Sequence, residues 1–270
     1  MNLNRKVLAI FAGICLIAGA YSLFEPYWIE QKNYILSDTQ IPQSFKGLKI
    51  VFLSDIHHGL FFSRSRLKNL VNQVNWINPD IILLGGDYVM WSGNYMKPCF
   101  EELANLKAAL GVYAVLGNHD HWMGAPETRE AITRTGIGNI DNGSFWITKG
   151  NQRIKIGGVG DHCEDIQVLE KTIDDVSDSD FVVLVSHSPD YAEEMECSKV
   201  DLMFSGHTHG GQVTFFSLFA LKVPSDYGQK YRTGLVQKGN LRVIVSNGVG
   251  TVALPIRFFA RPQIVSVILK

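Results

Sequence analysis

Five short, nearly continuous hydrophobic runs recur along the chain after about residue 33, and together they are rich in Val, Ile, Leu and Phe. Such runs are typical of strands that are buried on both faces of a sheet. They are Leu48–Ser54, Asp80–Gly85, Val112–Leu116, Phe181–Ser186 and Asp201–Phe204. Helix-like segments at Arg64–Asn78 and Pro98–Ala109 separate the first three runs. This alternation of strands and helices predicts a layered α/β fold.

Later segments have a different pattern, in which pairs of short hydrophobic stretches flank Gly- and Asn-containing turns. Phe145–Thr148 and Arg153–Ile156 form one pair, and Leu235–Gln237 and Leu241–Val245 form another. Both are typical of β-hairpins. Ile264–Leu269 alternates and predicts a closing strand. Two packed sheets with outer helices would accommodate both kinds of strand.

The N-terminal segment Val7–Phe24 is an 18-residue apolar stretch that follows Arg5 and Lys6. Its length just spans the hydrocarbon core of a bilayer, about 30 Å. A cleaved signal peptide is the alternative, because Ala18-Gly19-Ala20 resembles a cleavage site. We favour an uncleaved anchor, because the run is long enough for a spanning helix. Aromatic residues typical of a membrane interface follow at Phe24, Tyr27 and Trp28.

The charges beside this stretch predict its orientation. Arg5 and Lys6 should stay in the cytoplasm, which places the remaining chain outside a bacterial inner membrane, in the periplasm or beyond. The alternative is a helix that lies against the inner face, with a cytosolic domain. We therefore divide the chain into a membrane anchor with its connector, residues 1–32, and one domain, residues 33–270.

Composition narrows the class of protein. Hydrophobic residues make up 46% of the chain and charged residues 19%, which suits a well-buried core. The formal net charge is -1 and the sequence contains no Lys/Arg cluster, so we expect no nucleic-acid polymer as partner. The four cysteines lack CxxC spacing, so no disulfide framework or zinc ribbon is implied. The sequence does not indicate an oligomeric state.

Residues of the types that bind metal ions follow each of the five hydrophobic runs. Ligands of α/β proteins bind at the carboxyl ends of strands, so these residues should meet at one edge. Five of the eight histidines lie at these positions. The candidate residues are Asp55, His57, Asp87, Asn118, His119, Asp120, His187, His207 and His209.

The series DxH, GD, GNHD, H and GHTH resembles the calcineurin-like metallophosphoesterase superfamily, from about Lys49 to the C-terminus. The tail Gly248–Leu269, with Leu254-Pro255-Ile256-Arg257, is similar to a bacterial membrane-associated phosphodiesterase branch. The resemblance implies a four-layer α/β/β/α sandwich of two mixed sheets. With the N-terminal membrane-anchor helix, this is the fold that we expect.

The resemblance also implies two divalent metal ions. One would be held by Asp55, His57 and His209, the other by Asn118, His187 and His207, with Asp87 bridging them. Carboxylate, imidazole and amide ligands without thiolate suit Mn, Zn, Fe or Mg, of which we expect Mn. A bridging carboxylate can hold two cations about 4 Å apart, as in two-metal hydrolytic sites.

The same resemblance assigns catalytic and substrate-binding roles. His119 would protonate the leaving group, and Asn118 would stabilise charge on the phosphoryl oxygens. Asp120 would either orient His119 or cap the following helix. His58 and His162 are candidates for substrate contact, with a solvated side chain as the alternative for His58.

The chain is thus expected to be a dinuclear-metal-dependent phosphoester hydrolase, in the first place a membrane-associated phosphodiesterase. A lipid-linked nucleotide pyrophosphatase of the UDP-2,3-diacylglucosamine type, acting in lipid A synthesis, is the alternative, and a non-catalytic metal-binding scaffold is a third. Tyr88-Val89-Met90 follows Asp87 in place of the phosphate-binding arginine of phosphoprotein phosphatases. The apolar segment Phe215–Leu221 either contacts lipid or belongs to the core.

Overall fold

The computed structural model of the chain describes residues 3–196 and 198–270. It begins with helix α1 (Leu3–Phe24), whose residues are not buried. The segment Leu3–Tyr27 contains an 18-residue stretch with a mean hydropathy of 2.3 and is long and apolar enough to cross a membrane. A short 3₁₀ turn, Glu25–Tyr27, leads to strand β1 (Glu30–Leu36). This strand already begins within the stretch that the sequence assigned to the connector.

Four strands alternate with three helices in the next part of the chain. They are β2 (Lys49–Leu53), α2 (Arg64–Ile77), β3 (Ile81–Leu84), α3 (Met96–Leu103), β4 (Val112–Ala114), α4 (Asn118–Arg134) and β5 (Gly138–Asn139). The Ser63 hydroxyl accepts a hydrogen bond from the Arg66 backbone N–H at the start of α2. Asn78 ends this helix in the left-handed conformation, with φ of 53°.

The remaining part of the chain is dominated by strands. They are β6 (Gly143–Lys149), β7 (Gln152–Gly158), β8 (Val182–Val185), β9 (Leu202–Ser205), β10 (Thr214–Phe215), β11 (Phe219–Ala220), β12 (Gly234–Lys238), β13 (Leu241–Val245) and β14 (Gln263–Leu269). Two short helices interrupt them, α5 (Glu170–Ile173) after β7 and α6 (Tyr191–Glu194) after β8.

These strands form two mixed six-stranded sheets and a two-stranded ribbon of β10 and β11. The first sheet has the order β1-β14-β2-β3-β4-β5, in which only the β14–β2 pair is antiparallel. The second has the order β12-β13-β9-β8-β7-β6, in which the two outer pairs are antiparallel. The hairpins predicted from the sequence are these two outer pairs.

The two sheets pack face to face through their hydrophobic side chains. Phe52 of β2 meets Phe204 of β9 with ring centroids 5.3 Å apart. Buried side chains of α2, α3 and α4 cover the outer face of the first sheet, and α5 and α6 lie against the second. Burying one such side chain contributes about 1.5–3 kcal/mol before entropy costs. The predicted α/β/β/α layering is therefore confirmed.

The second predicted helix, Pro98–Ala109, is too long at its C-terminal end, because α3 stops at Leu103. The side chain of Asn75 in α2 binds the segment that follows, donating to Asn105 O and accepting from Lys107 N. These contacts with a neighbouring helix satisfy backbone groups that further helical turns would otherwise have used.

Candidate active site

Loops at the carboxyl ends of β2, β3, β4, β8 and β9 converge at one edge of the sandwich. Backbone hydrogen bonds join them in pairs. Asp55 N donates to Gly86 O and His57 N donates to Asp87 O, each at 3.0 Å. In the second sheet, Gly206 N donates to His187 O at 2.9 Å. Backbone hydrogen bonds alone therefore hold these loops together in pairs.

The backbone at this edge adopts an unusual conformation. Five candidate residues have left-handed φ angles of 49–66°, namely Asp55, His57, Asp87, His207 and His209. This region is sparsely populated by residues with a Cβ atom, although Asp, Asn and His tolerate it better than most. Strained backbone of this kind persists only where the surrounding structure enforces it, and it concentrates at functional sites.

One group of donor atoms gathers around Asp55. His209 Nε2 lies 3.2 Å from Asp55 Oδ1 and 3.2 Å from His57 Nε2. His57 Nε2 is in turn 3.5 Å from Asp87 Oδ2. All four side chains are buried. Their nitrogen and oxygen atoms therefore face one common point.

A second group adjoins the first through the same oxygen of Asp87. His187 Nε2 lies 3.4 Å from Asp87 Oδ2 and 3.2 Å from His207 Nδ1. His207 Nδ1 is also 3.0 Å from Asn118 Oδ1. The structure thus brings together, around Asp87, all seven residues that the resemblance implies as metal ligands.

Local hydrogen bonds fix the orientation of these side chains. His187 Nδ1 donates to Gly85 O at 2.6 Å, because a carbonyl only accepts, and Nε2 is therefore the ring nitrogen that faces the cluster. Asp87 Oδ1 accepts from His119 N at 2.9 Å, which leaves Oδ2 between the two groups. Asp55 accepts from His207 N at 3.0 Å.

Burial and mutual charge shift the pKa values of the cluster. Burial lowers the pKa of His57 to about 3 and that of His207 to about 4, so both imidazoles are neutral and offer a lone pair. Burial opposes ionisation of Asp87, but His187, His57 and His119 together outweigh it and hold the pKa of Asp87 well below its usual range. Asp87 conversely raises the pKa of His187 against the effect of burial.

Two glycines allow the loops to approach this closely. A Cβ atom on Gly117 would lie 2.4 Å from Asp87 Oδ1 and 2.7 Å from the His187 ring. A Cβ on Gly206 would lie 2.3 Å from Asp55 Oδ2. All three distances are shorter than van der Waals contact. The glycines of the GNHD and GHTH motifs are therefore required by packing, which the sequence alone could not distinguish from ordinary turn glycines.

His119 lies at the border between the cluster and solvent. Its ring centroid is 4.7 Å from that of His57 and 4.5 Å from that of Trp122. Burial lowers the pKa of His119, and Asp87 opposes this shift. A cleft of about 520 Å³ opens over the cluster. Its lining includes Asp87, Asn118, His119, Trp122, His207, His209, Val213, Lys222, Pro224 and Val252.

Asp120 does not hold the ring of His119, contrary to one of the two roles expected for it. Its Oδ2 accepts from Asp87 N at 2.7 Å and Gly117 N at 2.9 Å, and its Oδ1 accepts from Tyr88 N at 2.9 Å. Both carboxylate oxygens are thus engaged by backbone at the start of α4 and in the Asp87 loop. Asp120 is therefore a positioning residue, and its alternative role as a cap is the one observed.

His58 and His162 make contacts outside the cluster. His58 is buried and not solvated, and its Nδ1 donates to Phe62 O at 2.7 Å within the loop that leads to α2. His162 Nδ1 lies 3.6 Å from a carboxylate oxygen of Glu194, in the second sheet's outer layer. Neither side chain lines the cleft over the cluster. Their expected role in substrate binding has no support from this geometry.

Sequence reasoning missed the function of Arg257. This side chain is fully buried, and its guanidinium donates to the carbonyls of Asn247 (2.7 Å), Gly250 (2.6 Å) and Ala260 (2.7 Å). It also donates to His209 O at 3.3 Å. Arg257 therefore joins the C-terminal loops to the loop that carries His209. Its position within an otherwise apolar Leu-Pro-Ile-Arg segment was the only available signal.

Comparison with known proteins agrees with this geometry. The family model for calcineurin-like phosphoesterases matches residues 48–211. The chain is 31% identical over 269 residues to the uncharacterized metallophosphoesterase YkuE of Bacillus subtilis, covering 97% of this chain and 94% of that protein. It is 28% identical over 251 residues to the phosphodiesterase YaeI of Escherichia coli, covering 89% and 88%.

Two further matches cover a smaller share of the matched protein. A Danio rerio transmembrane protein with metallophosphoesterase domain is 28% identical over 247 residues, which are 86% of this chain and 55% of that protein. The crystal structure of a 5'-nucleotidase precursor from Thermus thermophilus covers 75% of this chain and 49% of that chain, with a TM-score of 0.50 and 16% identity. The latter match shows the fold alone. From the family match, which spans more than half of the sequence, and from the relative at 31% identity, we conclude that this chain belongs to the calcineurin-like phosphoesterase family and is a hydrolase.

Proposed function

We propose that the chain is a phosphodiesterase that depends on two divalent metal ions held around Asp87. The observation that carries this proposal is the convergence of two donor groups on one oxygen of Asp87, with neighbouring donor atoms 3.0–3.5 Å apart. Ligands that each lie about 2.1 Å from a metal ion are separated from each other by about 3 Å or slightly more. The donor atoms of this protein therefore fit such ions.

The two groups of donor atoms support one ligand set for each ion. Asp55, His57 and His209 would hold one ion, and Asn118, His187 and His207 would hold the other. Asp87 is shared, because both His57 Nε2 and His187 Nε2 face its Oδ2. Oxygen and imidazole ligands in this mixture suit Mn, Fe or Zn better than Cu or an iron–sulfur cluster. We propose Mn first.

The protein's own residues act on the leaving group and on the phosphoryl oxygens. When bound, the two ions supply Lewis acidity, which activates water and offsets the charge of the phosphate. His119 is placed at the mouth of the cluster to give a proton to the departing oxygen. Trp122 packs against the His119 ring and limits its rotation. With Asn118 Oδ1 turned inward, the Asn118 amide N–H₂ can donate to a phosphoryl oxygen.

The shape of the cleft supports an ester with an apolar portion. Val213, Pro224, Val252 and Trp122 form much of its wall, whereas Lys222 is its one lysine or arginine among the described residues. A single cation beside two metal ions suits a phosphodiester better than a more highly charged monoester. The second candidate, favoured by the same apolar wall, is a diphosphate that carries a lipid.

We also propose that α1 anchors the domain to a bacterial inner membrane, with residues 33–270 outside the cytoplasm. Support comes from the apolar, uncovered α1 and from Arg5 and Lys6 near its start. A lipid-linked nucleotide would require the domain on the cytosolic face instead. A topology reporter fused after Lys270 distinguishes the two, because a periplasmic fusion and a cytosolic fusion are active with different reporters.

The test of the proposed activity is hydrolysis of bis-p-nitrophenyl phosphate by the full chain with added Mn²⁺. Asp87→Asn should lose activity by about 100-fold or more, because the shared carboxylate is gone. Asn tolerates the left-handed backbone of this position, so the loop is preserved. Asp178→Asn, which removes the same charge on an exposed turn, should keep wild-type activity. Equal activity of Asp87→Asn and wild type would refute the proposal.

A further inference from the structure

The ribbon formed by β10 and β11 exposes large apolar side chains. We call residues 213–221 the hairpin surface. The exposed fractions of Phe215, Leu218 and Leu221 are 67%, 77% and 93%. Of the two alternatives for this segment, the buried core strand is therefore wrong. Contiguous exposed apolar side chains mark an interaction site in most proteins.

Aromatic contacts connect the hairpin surface with the last turn of α1. The Phe216 and Phe259 ring centroids are 4.9 Å apart, and Phe259 is 5.3 Å from the ring of Tyr21 in α1. Tyr21 also meets Phe258 at 5.6 Å. The exposed hairpin thus lies beside the end of the helix that is apolar enough to span a membrane.

Hydrogen bonds join the domain directly to the C-terminal end of α1. Glu25, the first residue after α1, is fully buried, and its two carboxylate oxygens accept from Phe259 N and Ala260 N, both at 2.7 Å. Arg257 N donates to Ser22 O at 2.9 Å. A 22-residue helix is about 33 Å long, close to the hydrocarbon thickness of a bilayer. If α1 spans the membrane, its C-terminal end and the hairpin surface both lie at the lipid–water interface.

Three cationic residues line a cavity at the base of the hairpin surface. A cavity of about 270 Å³ is lined by Tyr21, Ser217 and three cationic residues, Lys32, Arg232 and Arg261. Arg232 donates to Ser217 O at 2.7 Å, and the Arg261 guanidinium lies 4.1 Å from the Trp28 ring centroid. Glu25 and Glu30 also line this cavity, so its excess charge is one positive unit. Lys222, which directly follows the hairpin surface in sequence, adds a further cation where it lines the cleft over the cluster.

We infer that the hairpin surface docks on an anionic phospholipid bilayer and forms a second membrane contact beside α1. Its phenylalanine and leucine side chains enter the apolar interface, as in membrane-surface helices. Lys32, Arg232 and Arg261 meet the phosphate headgroups. Two separate contacts fix the tilt of the domain against the membrane plane, which a single spanning helix leaves variable.

This orientation bears on the substrate, in a step that rests on the proposed function. Val213 of the hairpin surface, Lys222 and Pro224 line the cleft over the metal ligands. The cleft therefore opens at the base of the docked hairpin, next to the headgroup layer. An amphiphilic phosphoester can then present its phosphate to the cluster while its hydrocarbon chain stays in the bilayer.

Tryptophan reporters test the docking itself, independently of activity. The full chain is placed in lipid nanodiscs whose acyl chains carry bromine, which quenches nearby indoles. Leu218→Trp is compared with Asn151→Trp, which lies in the exposed β6–β7 turn at the opposite end of the second sheet. The wild type measures the background from the five native tryptophans. We expect strong quenching of the added emission in Leu218→Trp, little in Asn151→Trp, and more quenching as the share of anionic lipid rises.

Other outcomes overturn the inference. Equal quenching of the two reporters would show that the hairpin surface does not reach the acyl chains. If the quenching does not change with the share of anionic lipid, Lys32, Arg232 and Arg261 do not contribute to docking. If the Leu218→Trp emission instead shifts to shorter wavelength only when two copies share a disc, a second copy of the chain covers this surface.

Kinetics test the consequence for the substrate. The triple variant Phe215→Ser, Leu218→Ser, Leu221→Ser should hydrolyse a soluble diester at the wild-type rate but a vesicle-embedded phosphodiester about 10-fold more slowly. Equal losses on both substrates would contradict docking as the cause. If wild type hydrolyses neither substrate, the proposed function fails, whereas the quenching result still decides whether the hairpin docks.

Discussion

At the scale of single residues, the ligand candidates satisfy two demands at once. The five with left-handed φ are Asp or His, types that both offer a donor atom and tolerate this conformation better than branched residues. Chemistry and backbone geometry thus favour the same choice at each position. Where no Cβ fits, as at Gly117 and Gly206, the loop carries glycine beside the ligand.

Gly206→Ala tests this close approach. The new Cβ would lie 2.3 Å from Asp55 Oδ2 and 2.4 Å from Ser54 Oγ, so the loop that carries His207 must shift. We expect about 1–3 kcal/mol lower stability, as for other overpacked sites, together with weaker Mn²⁺ activation. Denaturant unfolding and metal titration of activity measure the two effects.

Gly143→Ala is the matched control, because a Cβ there meets its nearest atom at an ordinary 3.6 Å. It should change neither stability nor metal activation appreciably. If Gly206→Ala is as active and as stable as Gly143→Ala, the loop can accommodate a Cβ atom at position 206, and the close approach is not required.

His119→Asn tests the proton donor. Removing an acid should matter little for p-nitrophenolate, which leaves without a proton, and should slow an alkyl phosphodiester by about 10²–10⁴-fold. Comparing kcat for the two diesters in wild type and variant gives this difference directly. A merely structural role for His119 predicts equal losses on both, because a displaced cluster would impair either substrate.

At the scale of elements, the start of α4 orders the neighbouring loop as well as its own first turn. Asp120 accepts from the backbone of Gly117, which precedes the helix, and of Asp87 and Tyr88 in the loop after β3. One carboxylate therefore acts as a cap for two elements. This couples the position of Asp87 to the helix that also carries Asn118 and His119.

Asp120→Asn should be costly for that reason. The amide replaces one acceptor oxygen by an N–H₂ group, so at least one buried backbone N–H loses its partner, at about 1–3 kcal/mol. We expect lower stability and lower activity together. Ser63→Ala, which removes the cap of α2 away from the cluster, should cost about 1 kcal/mol without changing kcat. Full activity in Asp120→Asn would contradict the coupling.

An element can be predicted from the sequence when its own residue pattern records its burial. It cannot when its ends are fixed by partners that are distant along the chain. Buried strands such as β2 and β8 are recognised because their apolar runs record burial on both faces. The end of α3 is not, since the Asn75 side chain, distant along the chain, binds the segment that follows. Motif spacing brings the ligand candidates to one edge, but the buried Arg257 and the exposed hairpin surface depend on tertiary contacts.

At the scale of the whole molecule, the cluster joins the two sheets. Asp55, His57 and Asp87 follow strands of the first sheet, whereas His187, His207 and His209 follow strands of the second. Ions held between them would cross-link the two layers of the sandwich. Ligand binding to the folded state alone stabilises it by RT ln(1 + [L]/Kd), about 2.7 kcal/mol at 100 times Kd.

Removal of the metal ions should therefore lower the melting temperature, and the size of the effect should depend on pH. In the ion-free protein Asp87 raises the pKa of His187 above its unfolded value. This proton therefore stabilises the fold below the unfolded pKa, and the benefit is lost as pH rises through the folded pKa. Metal ions bind the deprotonated imidazole, so their stabilising effect grows as the pH rises.

The difference in Tm between Mn²⁺-loaded and chelator-treated protein should consequently be larger in neutral than in mildly acidic buffer. Differential scanning calorimetry measures it, and Asp87→Asn should show little response to the chelator. A Tm that is unaffected by the chelator in neutral buffer would mean that the two sheets are not joined through bound ions.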